Sequence, residues 1–304
     1  LAIDHAPSEL EDAILKRLSI SAKDLLVFTV FKRSYDARKN TALSFIYTLD
    51  VSVKNEEDLL KRYAHDEHVR PSPDTSYHFV TKAPLKLKNR PVVIGFGPCG
   101  IFAALILAQM GFNPIVLERG KQVRERTQDT WGLWRKKILN SESNVQFGEG
   151  GAGTFSDGKL YSQIKDPKFY GRKVINEFVK AGAPPEIQYV AKPHIGTFRL
   201  VGMVEKIRQE IIDLGGEIRF SQKVIGFDIQ NEQITGVKIE GHPDLPVSHV
   251  VLALGHSARD TFKALHDAGV FMEAKPFSVG FRIEHPQSLI DKARLGPHAG
   301  NELI

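Results

Sequence analysis

The sequence predicts an α/β protein built on a parallel sheet, and three observations indicate this class. Residues 91–120 run from a short apolar strand through a glycine turn and a helix to a second apolar strand that ends in an acid. Residues 200–254 contain a helix, several short strands with tight turns and a closing apolar strand. Residues 1–85 mix helices and strands in another order, which favours a separate α+β unit in front.

The leading region is predicted to be a small ferredoxin-like α+β domain. The predicted order is a helix capped by Ser8 with Glu11 as its capping-box partner, strands over Leu25–Phe31 and Leu43–Val53, a helix capped by Asn55 and a strand over Ser76–Thr81. A basic stretch, KRSYDARKN, separates the first two strands. It could contact RNA, a partner or an anion, but a solvated hairpin turn is the simpler interpretation.

The glycine turn after the first buried strand carries the first candidate site. Gly95, Gly97 and Gly100 follow Val92–Ile94 in G-x-G-x-x-G spacing, and Glu118 ends the next strand. An acid about 20 residues past such a turn is typical of a dinucleotide-binding unit, in which the pyrophosphate lies at the helix N-terminus. Glu118 would then accept hydrogen bonds from the ribose hydroxyls of an adenosine. The alternative is an ordinary βαβ unit with a glycine turn.

A second glycine segment, NVQFGEGGAGTFSDGKL, spans residues 144–160. Gly148, Gly150 and Gly153 repeat the G-x-G-x-x-G spacing, but no apolar strand leads into them and no apolar helix follows. We therefore expect a loop whose main chain approaches a flat or phosphorylated ligand, with a flexible surface loop as the alternative. The helix predicted before it, Lys121–Leu139, is expected to place Trp131, Trp134 and Ile138 in the core, with a ligand cage as the less favoured alternative for the aromatic residues.

The later elements form a helix-and-meander region followed by one further strand. Helices are predicted over Val174–Ala181 and Leu200–Leu214. An antiparallel meander is predicted from strands over Glu217–Phe220, Val224–Gln230 and Ile234–Ile239. Two further strands are predicted over Val250–Leu254 and Phe277–Ile283.

The candidate substrate residues are basic and lie late in the chain. His256, next to the turn at Gly255, could donate a proton or could be a loop histidine without a mechanistic role. Lys275, Arg282 and His285 could bind an acidic substrate, although an exposed strand face explains them almost as well.

Composition bounds the class of protein. The 304 residues are 42% hydrophobic and 25% charged, as in a soluble globular protein, and no apolar run approaches a membrane span. The only cysteine, Cys99, excludes an internal disulfide and a cysteine-rich metal site; we predict no metal and a cytoplasmic location. A net charge of +5 suits an anionic ligand but is too diffuse to indicate nucleic acid.

Two motifs, NVQFGEGGAGTFSDGKL and GHSARD, resemble those of the uncharacterised bacterial FAD-dependent dehydrogenases, or NAD(P)/FAD-dependent oxidoreductases. These are similar to the glutathione-reductase-like flavoproteins with two dinucleotide-binding domains, and the resemblance covers most of the chain. It implies a Rossmann-like FAD-binding domain with an antiparallel β-meander and an interleaved substrate domain, preceded by the small ferredoxin-like domain. That family's C-terminal glycine-aspartate motif is not found up to Ile304.

The resemblance also implies domain boundaries. They are 1–85 for the N-terminal domain, 86–165 and 206–260 for the two parts of the FAD-binding domain, 166–205 for an interleaved substrate segment, and 261–304 for an incomplete substrate-domain strand region.

The resemblance further implies roles for named residues. The pyrophosphate would lie on the turn that contains Gly95, Gly97, Pro98, Cys99 and Gly100, where Cys99 is a small residue rather than a redox thiol. Glu118 would hold the ribose, next to Arg119, and the backbone at Val224 would meet the adenine. The phosphate or flavin side would be lined by Gly150, Gly151, Ala152, Gly153 and Thr154, with Gly255 allowing a sharp turn beside the ligand.

The function implied is an FAD-dependent oxidoreductase that transfers a hydride or two electrons between an unknown small-molecule substrate and the flavin, with NAD(P)H as a candidate electron donor. Two alternatives stay open. One is an RNA-modifying flavoprotein that uses its N-terminal domain, although nucleic acid is not the favoured partner. The other is a non-catalytic nucleotide-binding redox sensor.

Overall fold

The structure is a computed structural model that describes residues 1–39, 42–162, 164–281 and 283–301. The chain divides into two compact units. The first comprises Leu1–Thr75, Glu186–Lys192 and the chain from Pro276 onward, and the second comprises Ser76–Pro185 and Pro193–Lys275. Both glycine segments lie in the second unit.

The first unit is built around a two-stranded antiparallel sheet. Its elements are α1 (Pro7–Leu18), β1 (Leu25–Asp36), β2 (Ser44–Val53), α2 (Glu56–Arg62) and, late in the chain, α8 (Gln287–Leu295). A small core forms where Ile14 and Leu18 of α1 pack with Val53 of β2 and Leu59 of α2. Helices cover one face of the ribbon because two strands alone bury too little apolar surface to be stable.

Two expectations for this region are wrong. The first helix is capped by Ala6 rather than Ser8, and the Ala6 N–H donates to the Glu9 carboxylate at 2.8 Å. Pro7 takes the first helical position, where its missing N–H costs nothing. Residues 76–81 form no strand; Tyr77 and Phe79 pack edge to face, with ring centroids 5.1 Å apart. Without that strand the predicted ferredoxin-like order is not found among the described residues.

The second unit contains a four-stranded parallel sheet in the order β5-β4-β3-β9. These strands are β3 (Val92–Ile94), β4 (Ile115–Leu117), β5 (Glu217–Arg219) and β9 (Val250–Leu252). The helix α3 (Pro98–Gln109) connects β3 to β4. This order matches the beginning of a doubly wound dinucleotide fold. The strand predicted at Glu217–Phe220 therefore belongs to the parallel sheet, paired with β4, and not to the meander.

A three-stranded antiparallel sheet follows in the order β6-β7-β8. Its strands are β6 (Val224–Gln230), β7 (Gln233–Ile239) and β8 (Leu245–Pro246). Phe227 and Val237 from this sheet share one core with Ile94 and Leu117 of the parallel sheet and with Leu265. The common core fixes the start of β6 relative to the ends of β3 and β4.

The described part of the second unit also contains four more α-helices: α4 (Val123–Lys136), α5 (Tyr170–Lys180), α6 (Thr197–Asp213) and α7 (Arg259–Asp267). The expected core position of the tryptophans on α4 is wrong, since Trp131 and Trp134 are 44% and 53% exposed. The buried residues of α4 are instead Val123, Arg126 and Thr130. Their spacing of three and four residues defines the inward face, and Trp131 lies beside it. Trp134 continues this spacing but lies in the last turn of the helix, where its ring contacts Phe155 and stays half exposed. Ile138, beyond the helix end, is also exposed.

The strand predicted at Phe277–Ile283 is not present among the described residues of that stretch. Phe277, Val279 and Phe281 are all at least 85% exposed. Alternation of apolar and polar residues gives a strand only where a neighbouring strand supplies hydrogen bonds, and none is described beside this one. Arg282 lies outside the described residues.

None of the described helices combines the length and the apolar composition that crossing a membrane requires.

Candidate dinucleotide site

A cleft opens at the carboxyl ends of β3, β4 and β9, the edge at which ligands bind in open parallel sheets. Eleven predicted residues line it: Gly95, Gly97, Pro98, Cys99, Glu118, Arg119, Gly151, Ala152, Val224, Gly255 and His256. The predicted residues Gly100, Gly150, Gly153 and Thr154 are not among those that line it, and neither is the exposed Lys275. Residues far apart in the sequence therefore share one cleft.

The turn from Gly95 to Gly100, here called the phosphate turn, needs glycine at two positions. Gly95 has a φ of +99°, and a Cβ there would collide with the carbonyl oxygen of Ala253, the residue that follows β9. A Cβ on Gly100 would collide with the carbonyl oxygen of Gly95. These two glycines let α3 start directly on the strand edge.

The amino end of α3 forms one wall of the cleft. Gly97 caps the helix, Pro98 is its first residue, and both line the cleft together with Cys99. The N–H groups of a first helical turn have no partner within the helix, and the helix dipole adds partial positive charge there. This wall can therefore bind the phosphates of an anionic ligand.

Glu118, at the end of β4, is almost fully buried and already holds two backbone groups. One carboxylate oxygen accepts from the Phe96 N–H at 2.7 Å, and the other accepts from the Gly120 N–H at 2.8 Å. An ionised carboxylate has about four acceptor positions, so two remain for a ligand. Glu118 thus shapes the phosphate turn as well as lining the cleft, a second role that sequence reasoning missed.

The second glycine segment lies directly on the phosphate turn. The Gly150 N–H donates to the Phe96 carbonyl at 2.9 Å. Gly151 has a φ of +60°, and a Cβ there would lie 3.1 Å from the Gly97 Cα and 3.0 Å from the Pro98 Cδ. Among the described residues no strand leads into this segment, and a short 3₁₀ helix, Ala152–Phe155, lies within it. Two glycine-rich backbones therefore meet at one side of the cleft.

Another part of the cleft rim is a network of four charged side chains. Arg119 forms ion pairs with Glu142 at 2.7 Å and with Asp260 at 2.9 Å, and Lys223 reaches the same two carboxylates at 3.2 and 3.1 Å. Hydrogen bonds from Arg119 hold the pKa of Asp260 far below its usual range. The Arg119 guanidinium also lies 4.0 Å from the centroid of the Phe147 ring. Arg119 is consequently a fixed part of the wall.

His256 is exposed at the mouth of the cleft, next to Ser257, whose hydroxyl donates to the Gln146 side chain at 2.9 Å. The sequence signal that could have found the rim network is the GHSARD motif, which ends at Asp260. In the sequence, Asp260 looks like an ordinary acidic residue in the first turn of a helix, and only the fold shows that it pairs with Arg119.

Glu149, within the second glycine segment, is fully buried. Its Oε2 accepts from the Val123 N–H at 2.8 Å and from Arg208 at 2.9 Å. Its Oε1 has no hydrogen-bond partner in the described part of the chain. Burial raises the pKa of Glu149 above its ordinary value of 4.5.

We therefore expect the free energy of unfolding of the Glu149→Gln variant to increase relative to that of the wild type as the pH rises. Because the folded pKa lies above the unfolded one, the fold favours the protonated acid. That stabilisation is complete below a pH of about 4 and is lost as the pH rises through the raised pKa. A neutral amide avoids this loss. Urea unfolding of both proteins at acid and neutral pH measures the difference, and a difference that does not change with pH would contradict the expectation.

Comparisons with known proteins give three findings. The model of the Domain of unknown function (DUF8436) matches residues 1–52. An uncharacterized protein of Clostridium beijerinckii is 43% identical over 296 residues, covering 97% of this chain and 55% of the relative, so the chain spans about half the length of the curated relative it matches.

Three solved structures share a weak overall likeness. They are Thermovibrio ammonificans THI4 (17% identity, TM-score 0.38, 60% of this chain and 64% of that one), L-proline dehydrogenase from P. horikoshii (20%, 0.34, 62% and 58%) and glycine oxidase from Bacillus cereus (15%, 0.32, 60% and 59%). TM-scores of this size carry no argument about function. The assignment of an α/β fold with a parallel sheet rests on the strand order itself.

Proposed function

We propose that the chain binds FAD in this cleft and forms part of an FAD-dependent oxidoreductase. The observation that carries the proposal is the contact between the second glycine segment and the phosphate turn. A simple NAD-binding unit needs only one glycine turn and an acid. Here a second glycine-rich backbone lies beside the first, which suits a longer dinucleotide with a flat ring system.

The residues present fit such a ligand. The amino end of α3 and Gly97 would bind the pyrophosphate, and the free acceptor positions of Glu118 would bind the ribose. The start of β6 at Val224 would contact the adenine, and Gly151 with Ala152 would lie towards the flavin. When bound, the flavin supplies the ability to take a hydride or two electrons from a substrate. His256, at the cleft mouth, is our candidate for binding the substrate.

The purified full-length protein is expected to be yellow and to release FAD on denaturation. The absorbance spectrum checks this directly, and the released flavin can be identified by chromatography. Addition of NADH or NADPH without oxygen then tests whether either bleaches the flavin. A colourless protein that FAD cannot reconstitute would contradict the proposal.

A further inference from the structure

Arg126 is a fully buried arginine on α4, one turn from the start of the helix. Its guanidinium donates from Nε to the carbonyl of Asn144 at 2.8 Å, from Nη2 to that of Val145 at 2.7 Å and from Nη1 to that of Glu149 at 2.6 Å. All three acceptors belong to the second glycine segment. A single side chain thus binds three backbone groups of the loop that precedes Gly150.

The segment is also shaped around the apolar part of Arg126. A Cβ on Gly148, whose φ is +122°, would collide with the Arg126 Cδ. On the other side, the guanidinium carbon lies 4.8 Å from the centroid of the Phe155 ring. Arg126 therefore contacts the segment both before and after its glycines.

These contacts continue to the cleft through the next two residues. Arg126 binds the carbonyl of Glu149, and the N–H of the same peptide group belongs to Gly150. This N–H donates to the Phe96 carbonyl at 2.9 Å. Gly151 then lies against Gly97. Fixing the Glu149 carbonyl therefore fixes the part of the segment that touches the phosphate turn.

We propose that Arg126 is a positioning residue, which holds the second glycine segment on the phosphate turn before the dinucleotide arrives. The proposal rests on the proposed function for the identity of the ligand. Burying a guanidinium is unfavourable, and burial lowers the pKa of Arg126 to about 10. An apolar side chain could fill the same space without that cost, but only a fork of several N–H donors can hold three separate carbonyls.

The test compares Arg126→Met and Arg126→Lys with Arg124→Met as the matched control. Arg124 lies on the same helix, is 71% exposed and pairs with Glu205, so its replacement removes the same charge from α4 without touching the segment. Two quantities are measured on the full chain: hydrogen–deuterium exchange of the ligand-free protein, and the Kd for FAD.

In Arg126→Met, residues 144–155 are expected to exchange at least tenfold faster while α3 and β6–β7 keep their protection, and the Kd for FAD is expected to rise at least tenfold. Arg126→Lys, whose N–H donors all lie on one nitrogen and cannot reach three separate carbonyls as the guanidinium does, should fall between this variant and the wild type. Arg124→Met should match the wild type. Unchanged exchange at 144–155, or an equal loss of protection throughout the unit in the lysine variant, would overturn the proposal.

The exchange measurement separates this proposal from the proposed function. If wild-type protein does not bind FAD, the proposed function fails, and the exchange of the ligand-free variants still decides whether Arg126 holds the segment. If wild-type protein binds FAD and the segment exchanges faster without any change in Kd, the positioning role fails alone.

Discussion

Replacing Glu118 by alanine is expected to lower the free energy of unfolding by roughly 2–6 kcal/mol in the absence of any ligand, because each buried donor left without a partner costs about 1–3 kcal/mol. The two donors are the N–H groups of Phe96 and Gly120, which the carboxylate accepts at 2.7 and 2.8 Å. Urea unfolding of the ligand-free protein measures the loss.

Glu118→Gln is the matched variant, since its amide oxygen keeps one acceptor while the charge is removed. It should fold better than Glu118→Ala and still bind FAD more weakly than the wild type, because hydrogen bonds from ribose hydroxyls to a charged acceptor are stronger than those to a neutral one. Equal stability of the alanine variant and the wild type would show that the two amides do not depend on Glu118. Unchanged FAD affinity in the glutamine variant would remove Glu118 from the ribose site.

Replacing Gly151 by valine is expected to weaken FAD binding at least tenfold, which corresponds to about 1.4 kcal/mol. The backbone of Gly151 is left-handed, with a φ of +60°, and β-branched residues rarely adopt that conformation. Its Cβ would also press on Gly97 and Pro98 at 3.0–3.1 Å. We expect the segment to move away from the phosphate turn while the helices stay intact. An FAD titration and circular dichroism measure the two effects separately.

Gly153→Ala provides the control in the same segment. A Cβ at Gly153 would meet only the Pro98 Cγ at 4.0 Å, which is ordinary van der Waals contact. This variant should bind FAD like the wild type. If the two variants bind FAD equally well, the close contact at Gly151 does not contribute to the site. The segment would then be interpreted as a surface loop.

The parts that the sequence predicts well are those that local rules determine. The strand, the glycine turn, the helix α3 and the acid at Glu118 are consecutive, and each has a characteristic residue type at a fixed spacing. The glycine at Gly100 is likewise predictable, because the helix crosses the strand edge at that point. Local pattern is sufficient for these elements because each contacts its own sequence neighbours.

Long-range choices were not predictable in the same way. The strand β5 has the length and composition of a meander strand, and only its pairing with β4 places it in the parallel sheet. Arg126 looks like one more charge on a polar helix; its burial depends on carbonyls that the chain supplies some 20 residues later. Lys223 and Asp260 are equally ordinary in the sequence and become part of the site only when the fold brings them to Arg119.

The exposure of the carboxyl end of α4 has a consequence for spectroscopy. The chain has two tryptophans, Trp131 and Trp134, and both are exposed there, with ring centroids 5.4 Å apart. Their ultraviolet emission thus comes from a single solvent-facing patch and contains no contribution from the core. Emission is a poor indicator of global unfolding for this protein, and a sensitive optical reporter of anything that covers or rearranges α4.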